Sequence, residues 1–422
     1  HYLEITNFYT LTIYNKGAEV VRMLETWLGP DVFQAGMQRY FDDYDGQAVT
    51  IDEFLAAMAT ESGQDMGQFR LWYTEAGTPR VTVKTQYQSA QNTLEVSVCQ
   101  AAVIGSDQAV SPKLIPLRIG FLDQEGQVMQ VVSPEGEHVF ETVLVFKTLS
   151  EKFIFSGVLS KPTCSILRAF SAPVQLEHVQ TEREMLHLIR HDSDAYVRWS
   201  ALNSLFCLHV KCCLESGGTC LPLKPTLLET YQHVLEDTRM CAAEKVEILS
   251  FPSARYLLEQ FPGEDICQLS KVRQGILNML AERLYDSFLK LYKHCKTSLP
   301  YQYNIQDIAT RSVRNFCLMY LFYSGNQHAE LLCQRQLDQA DNMTDMMGAV
   351  HAVIHSNNQT LREEMLAQFY QMWAHDPLVI DKWFSCQALS TAQDALEQVI
   401  LLCQHEGFDL YNPNRVRALL AT

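Results

Sequence analysis

The chain has 422 residues, 47% of them hydrophobic and 19% charged, with a formal net charge of -16. That length exceeds one ordinary core and predicts two or three domains, and that composition excludes a disordered chain. The acidic balance excludes a general phosphate-backbone binder, which needs clustered Lys and Arg, so no nucleic-acid partner is expected.

From Gly17 to about Ala76 the hydrophobic spacing is helical. Val20, Leu24, Trp27 and Leu28 share one face, and Gly29-Pro30 stops that helix. A second helix is predicted from about Asp31 to Asp43, and Thr50-Ile51-Asp52-Glu53 reads as a capping box opening a third. Gly77-Thr78-Pro79 then breaks the pattern.

From Arg80 to about Ala172 the period changes to two. Leu94, Val96 and Val98 alternate with polar partners, as do Ile115, Leu117, Ile119 and Phe121. Further strands are predicted at Val128–Val132, Thr142–Phe146, Lys152–Phe155 and Cys164–Phe170. Short strands between Gly, Asp, Pro and Ser turns predict a small antiparallel β-sandwich. Beyond Pro173 the pattern is helical, with short breaks at Ser216-Gly217-Gly218 and Phe261-Pro262-Gly263, which predicts an α-solenoid or superbundle. The fold expected is multidomain α+β, divided at 1–77, 78–176 and 177–422.

The thirteen cysteines run from Cys99 to Cys403 without a C-x-x-C pair. Cys207, Cys212, Cys213 and Cys220 come close together, but their spacing fits no zinc ribbon or redox motif. An odd, scattered count reads as reduced, mostly buried thiols in a cytoplasmic protein. No run of eighteen apolar residues exists, so no membrane span is expected. His351 and His355 are spaced as in the zinc motif H-E-x-x-H, but Ala352 stands where its Glu must be. His187 and His191 show the same spacing without a carboxylate partner. Both pairs read as solvated helix faces, not metal sites.

The segment Phe8-Tyr9-Thr10-Leu11-Thr12-Ile13-Tyr14-Asn15-Lys16-Gly17-Ala18-Glu19-Val20 resembles the catalytic-tyrosine segment of bacterial aminopeptidase N, a gluzincin zinc metallopeptidase family. The pattern Tyr-x-Lys-Gly falls on Tyr14, Lys16 and Gly17; Asn15 stands where relatives commonly carry an acidic residue. Trp72-Tyr73 with Ala76-Gly77-Thr78-Pro79 resembles the end of that family's catalytic domain. Asn342-Met343-Thr344-Asp345, Asp381-Lys382-Trp383-Phe384 and Asn412-Pro413-Asn414-Arg415 resemble landmarks of its helical domain.

The resemblance implies that residues 1–77 are the C-terminal part of a thermolysin-like catalytic domain, followed by the family's β-sandwich and a helical domain truncated at its end. It implies a zinc enzyme that removes N-terminal residues from peptides with broad specificity, acting as a cytoplasmic monomer when full length. The zinc ligands would lie outside residues 1–422, so this stretch alone is expected to bind no zinc and to be inactive. By resemblance, the Tyr14 phenol donates a hydrogen bond to the oxyanion that develops on the scissile carbonyl, a contact of the kind that preorganised donors supply. Tyr9 matches a tyrosine lining the pocket for the substrate's first side chain. Arg417 matches a position near the chamber enclosed by the helical domain, where a guanidinium would pair with a substrate's C-terminal carboxylate. Read as a residue alone, one tyrosine among 18 is a packing residue, and what lifts Tyr14 is the Lys16 and Gly17 that follow it and the Tyr9 that precedes it; Arg417 reads first as a surface or interhelix arginine and only second as a carboxylate partner. A different class also remains open: an α-solenoid interaction or scaffold protein, or a catalytically dead relative without peptidase activity.

Overall fold

The computed structural model describes residues 10, 12–101, 111–297, 300–356 and 358–421. The chain divides into two compact units, His1–Leu202 and Asn203–Thr422.

Among the described residues, the first element of this unit is a π-helical turn, Thr12–Lys16, that runs into α1 (Gly17–Leu28). α1 buries Val20, Met23 and Leu24, with Trp27 and Leu28 half-buried beside them. Gly29 ends the helix at φ +83°, a conformation costly for residues with a Cβ, and its N–H caps the Glu25 carbonyl. Pro30 then occupies the first turn of α2 (Pro30–Tyr44), where its missing N–H costs nothing. Thr50 and Glu53 form the expected capping box on α3 (Ile51–Ser62): Thr50 Oγ1 accepts from Asp52 N at 3.2 Å, and Glu53 Oε2 accepts from Thr50 N at 2.7 Å. α4 (Leu71–Thr74) is one short turn.

Among the described residues nine strands follow: β1 (Arg80–Gln88), β2 (Thr93–Ala101), β3 (Ile115–Leu122), β4 (Val131–Val132), β5 (His138–Val139), β6 (Glu141–Phe146), β7 (Ser150–Phe155), β8 (Thr163–Ile166) and β9 (Gln175–His178). One sheet has the order β7-β2-β1-β9 and the other β6-β3-β8, with β4-β5 as a small ribbon. Val83 pairs with Val98 and Leu94 with Phe155 in the first sheet; Ile115 pairs with Phe146 and Ile119 with Ile166 in the second. Phe121 and Phe155 meet edge to face at 4.9 Å between the two sheets.

Three features differ from the sequence expectation. The sandwich is not wholly antiparallel, because β9 pairs parallel to β1, with Val83 opposite His178. The Val128–Val132 segment is a strand only at Val131–Val132, with Val128 making one isolated bridge to Leu122. The strand expected over Cys164–Phe170 stops at Ile166, since Leu167, Ala169 and Phe170 all take left-handed backbone, at φ 62°, 52° and 49°. Remote groups hold that turn: Asp194 Oδ2 accepts from Ala169 N at 2.7 Å, and Arg22 donates to the Ala169 and Phe170 carbonyls.

A single hydrophobic core joins the helices to the sandwich, from Val20, Leu24, Phe54 and Phe69 to Val81, Val96, Leu117, Phe155 and Val174. Burial of that apolar surface is the main favourable term in folding. α5 (Glu182–His191), capped by Thr181 and Glu184, and α6 (Ala195–Glu215) follow.

The second unit is helical. It comprises α7 (Pro225–Glu236), α8 (Ala242–Leu249), α9 (Ala254–Gln260), α10 (Ile266–Arg283), α11 (Tyr285–His294), α12 (Ile305–Tyr323), α13 (Gln327–Gln339), α14 (Met343–Val353), α15 (Gln359–Trp373), α16 (Pro377–Ala388), α17 (Ala395–Leu402) and α18 (Pro413–Leu420). Two of these helices start with the same device. Asn304 accepts from Asp307 N at 2.8 Å while its amide donates to the Asp307 carboxylate at 3.0 Å; Asn342 and Asp345 repeat it at 2.9 and 3.0 Å.

Candidate active site

Tyr14 lies in the π-helical turn ahead of α1, a wider winding of the kind often found at functional sites. The backbone N–H groups of Ile13 and Tyr14 both donate to the Thr10 carbonyl, at 3.1 and 3.0 Å. Tyr14 is 57% exposed and Ile13 45%, so the turn lies at the surface of this unit. Tyr9 lies outside the described residues.

Lys16, two residues on, anchors the turn. Its Nζ donates to the Gly77 carbonyl at 2.7 Å and to Thr78 Oγ1 at 3.1 Å. Gly77 stands at φ +100°, which turns its carbonyl to meet the ammonium. Burial, and then the nearby Lys113, hold Lys16 below the usual lysine range. Lys113 is itself buried and donates to the Leu71 carbonyl at 2.9 Å and Glu75 Oε2 at 3.0 Å, with its ammonium 5.8 Å from the Trp72 ring centre. The Trp72 indole N–H donates to the Leu114 carbonyl at 2.9 Å, which fixes α4 against the sandwich. The two sequence landmarks, Tyr14-x-Lys16-Gly17 and Trp72 to Pro79, are therefore one hydrogen-bonded seam. Sequence spacing singled out Lys16 but gave no sign of its partners, 61 and 62 residues away.

α1 has a second anchor. Arg22 donates to Glu19 through Nε at 2.9 Å and to the Phe170 carbonyl through Nη2 at 2.8 Å, with its guanidinium over the Phe170 ring.

In the helical unit, Arg417 lies exposed on α18, whereas Arg415 two residues earlier is buried. Arg415 Nε donates to Asp381 Oδ1 at 2.6 Å, Nη2 donates to the Pro377 carbonyl at 3.3 Å, and the guanidinium stacks 5.1 Å from the Phe384 ring centre. Trp383 donates to the Leu366 carbonyl at 3.0 Å. Two more landmarks, Asp381 to Phe384 and Asn412 to Arg415, are thus joined as a structural hub.

The described residues do not fit a catalytic zinc. Among them no group of three or more His, Cys, Asp or Glu side chains gathers around one point. His187 Nε2 is bonded to the Asp123 carbonyl at 2.8 Å, and His355 Nδ1 pairs with Thr391 Oγ1 at 2.9 Å. No helix of the described residues is long and apolar enough to cross a membrane.

Residues 182–422 match the family described as "Domain of unknown function (DUF3458_C) ARM repeats". The chain belongs to that family. Residues 77–179 match the companion domain of unknown function described as an Ig-like fold, and residues 1–73 match the peptidase family M1 domain. Aminopeptidase N of Escherichia coli is 36% identical over 421 residues, covering 99% of this chain and 48% of the relative. Aminopeptidase N of Haemophilus influenzae is 35% identical over 425 residues, covering 100% and 48%. The crystal structure of Legionella pneumophila aminopeptidase A in complex with aspartic acid superposes with a TM-score of 0.86 at 27% identity, covering 100% of this chain and 48% of that one. The chain spans about half the length of the curated relatives it matches and corresponds to their C-terminal part. The resemblance to bacterial aminopeptidase N therefore extends along the whole chain.

Proposed function

We propose that residues 1–422 form the C-terminal part of a bacterial, zinc-dependent aminopeptidase N that removes N-terminal residues from peptides with broad preference. The observation that carries this is similarity to aminopeptidase N over 99% of the chain, with the Tyr14 turn built into a seam of the fold. In this reading residues 1–77 complete the catalytic domain, 78–176 form the β-sandwich and 177–422 wall a substrate chamber. The zinc ligands belong to the remainder of the longer protein, and no step through the metal is derived from this chain. The enzyme acts in the cytoplasm as a monomer.

The role of this chain's own residues is electrostatic. The Tyr14 phenol donates a hydrogen bond to the oxyanion as the scissile carbonyl becomes tetrahedral, and the Lys16 anchor holds the turn that aims it. Tyr9 lines the first-residue pocket. Arg417 on the exposed face of α18 pairs with the carboxylate of a short peptide.

The test is Tyr14→Phe in the full-length protein. Loss of one oxyanion donor lowers kcat by roughly 10²–10³-fold with zinc content unchanged; near-normal kcat removes Tyr14 from the reaction. Arg417→Ala raises KM for tripeptides and leaves KM for a neutral aminoacyl arylamide unchanged; equal effects on both would remove the carboxylate role. A full-length protein that contains zinc ligands yet turns over no aminopeptidase substrate would favour the scaffold reading.

A further inference from the structure

Outside the seam described above, the helical unit carries a concentration of sulfur and nitrogen donors on three neighbouring helices. Met343, Met347 and His351 recur at i, i+4 and i+8 along α14, which places them on one face. They line a groove of about 1030 Å³ together with Met319 from α12 and Cys386 from α16. Cys386 Sγ lies 3.6 Å from His351 Nε2.

We propose that this groove binds Cu(I), held by the Cys386 thiolate and His351 Nε2 and completed by a thioether from the Met343–Met347 stripe. Thiolate, thioether and imidazole are the donors that a soft ion selects over hard oxygen ligands. With bonds of the length zinc makes to these donors, about 2.0 Å to nitrogen and 2.3 Å to sulfur, the observed separation gives an angle of roughly 113° at an ion between them. That angle suits three-coordination and leaves a place for sulfur.

The surrounding charges agree with a monovalent ion. The acidic side chain of the groove, Asp381, is committed to Arg415 at 2.6 Å, and Lys382 lines the same wall. A divalent cation would meet one cation and no uncommitted carboxylate, whereas Cu(I) bound to a thiolate is neutral and bears a far smaller desolvation cost. Binding is then an exchange: the S–H bond breaks, the S–Cu bond forms, one proton leaves to solvent, and no electron is transferred.

The test uses the whole chain with its five exposed cysteines, Cys99, Cys212, Cys241, Cys267 and Cys403, replaced by serine. Titrated anaerobically with Cu(I) against bicinchoninate, this protein retains one equivalent, and X-ray absorption shows a mixed nitrogen and sulfur shell. Cys386→Ser abolishes the retained equivalent. His351→Gln and the volume-conserving Met347→Leu each weaken binding at least about tenfold, the loss typical of disturbing a metal's supporting shell. Retention of no copper by the background protein overturns the proposal. So does an unchanged equivalent in Cys386→Ser, or binding in both His351→Gln and Met347→Leu that equals the background, since copper would then sit on unrelated thiols.

Discussion

Lys16 Nζ bonds both the Gly77 carbonyl and the Thr78 hydroxyl, so the turn that presents Tyr14 is tied directly to the first residues of the sandwich. Lys16→Met leaves that carbonyl without its donor and costs about 1–2 kcal/mol, read as a lower urea midpoint at pH 7. The folded-state pKa lies below the unfolded value of 10.5, so the folded protein holds this proton less tightly and stability rises as pH climbs toward 10.5. The methionine variant loses that alkaline rise. An unchanged midpoint would show that the anchor is dispensable.

Asp192 is buried beside Arg168, which donates to it at 2.7 Å and also to Ser165, Ser193 and Glu141 at 2.8, 2.9 and 2.9 Å. Asp192→Ala strips the guanidinium of its buried partner and costs about 3 kcal/mol, the range for breaking rather than replacing a buried pair. Chemical denaturation monitored on the sandwich measures it. A loss below about 1 kcal/mol would place the pair among surface bridges.

Arg415→Lys keeps the charge but removes the planar fork that reaches Asp381 and the Pro377 carbonyl while stacking on Phe384. The expected cost is about 2 kcal/mol, seen as a drop in the melting temperature of the helical unit. Arg417→Lys on the same helix, at an exposed position, lowers that temperature less, and equal losses would contradict the assignment of Arg415 as the hub.

Two buried histidines, one in each unit, contribute to acid sensitivity. Burial lowers the pKa of His178 to about 4, against an opposing Glu184; burial, His351 and Arg273 lower that of His355 to about 4. Both folded pKa values lie below the unfolded 6.5, so their neutral forms are favoured in the fold. Stability is full above pH 6.5 and falls as pH drops toward 4. His178→Gln and His355→Gln each flatten that fall in pH-dependent melting curves; unaltered curves would assign it to carboxylates.

Much of the helical architecture was legible from punctuation. Gly29-Pro30 and the Thr50–Glu53 box announce their ends and starts because satisfying terminal N–H groups is a local matter. The strand expected through Phe170 failed for a non-local reason. Nothing in Leu167-Arg168-Ala169-Phe170 signals left-handed backbone, and it persists because Asp194 and Arg22 capture the turn from elsewhere. β9 was missed because a four-residue strand, Gln175–His178, is too short to display a period. At the candidate site the sequence supplied Tyr14 and Lys16 as a spaced pattern, but the partners of Lys16 and the presence of Lys113 beside it are products of tertiary folding. The helical landmarks proved to be caps and an ion-pair hub, roles that a tetrapeptide alone does not reveal.

The shared core that runs from Val20 to Val174 makes α1, α3, α4 and the sandwich partners in one cooperative transition. Cutting the chain after Gly77 would not release two autonomous folding bodies. It would strand α1 without the Phe170 turn that grips Arg22, and leave the sandwich with an uncovered apolar flank.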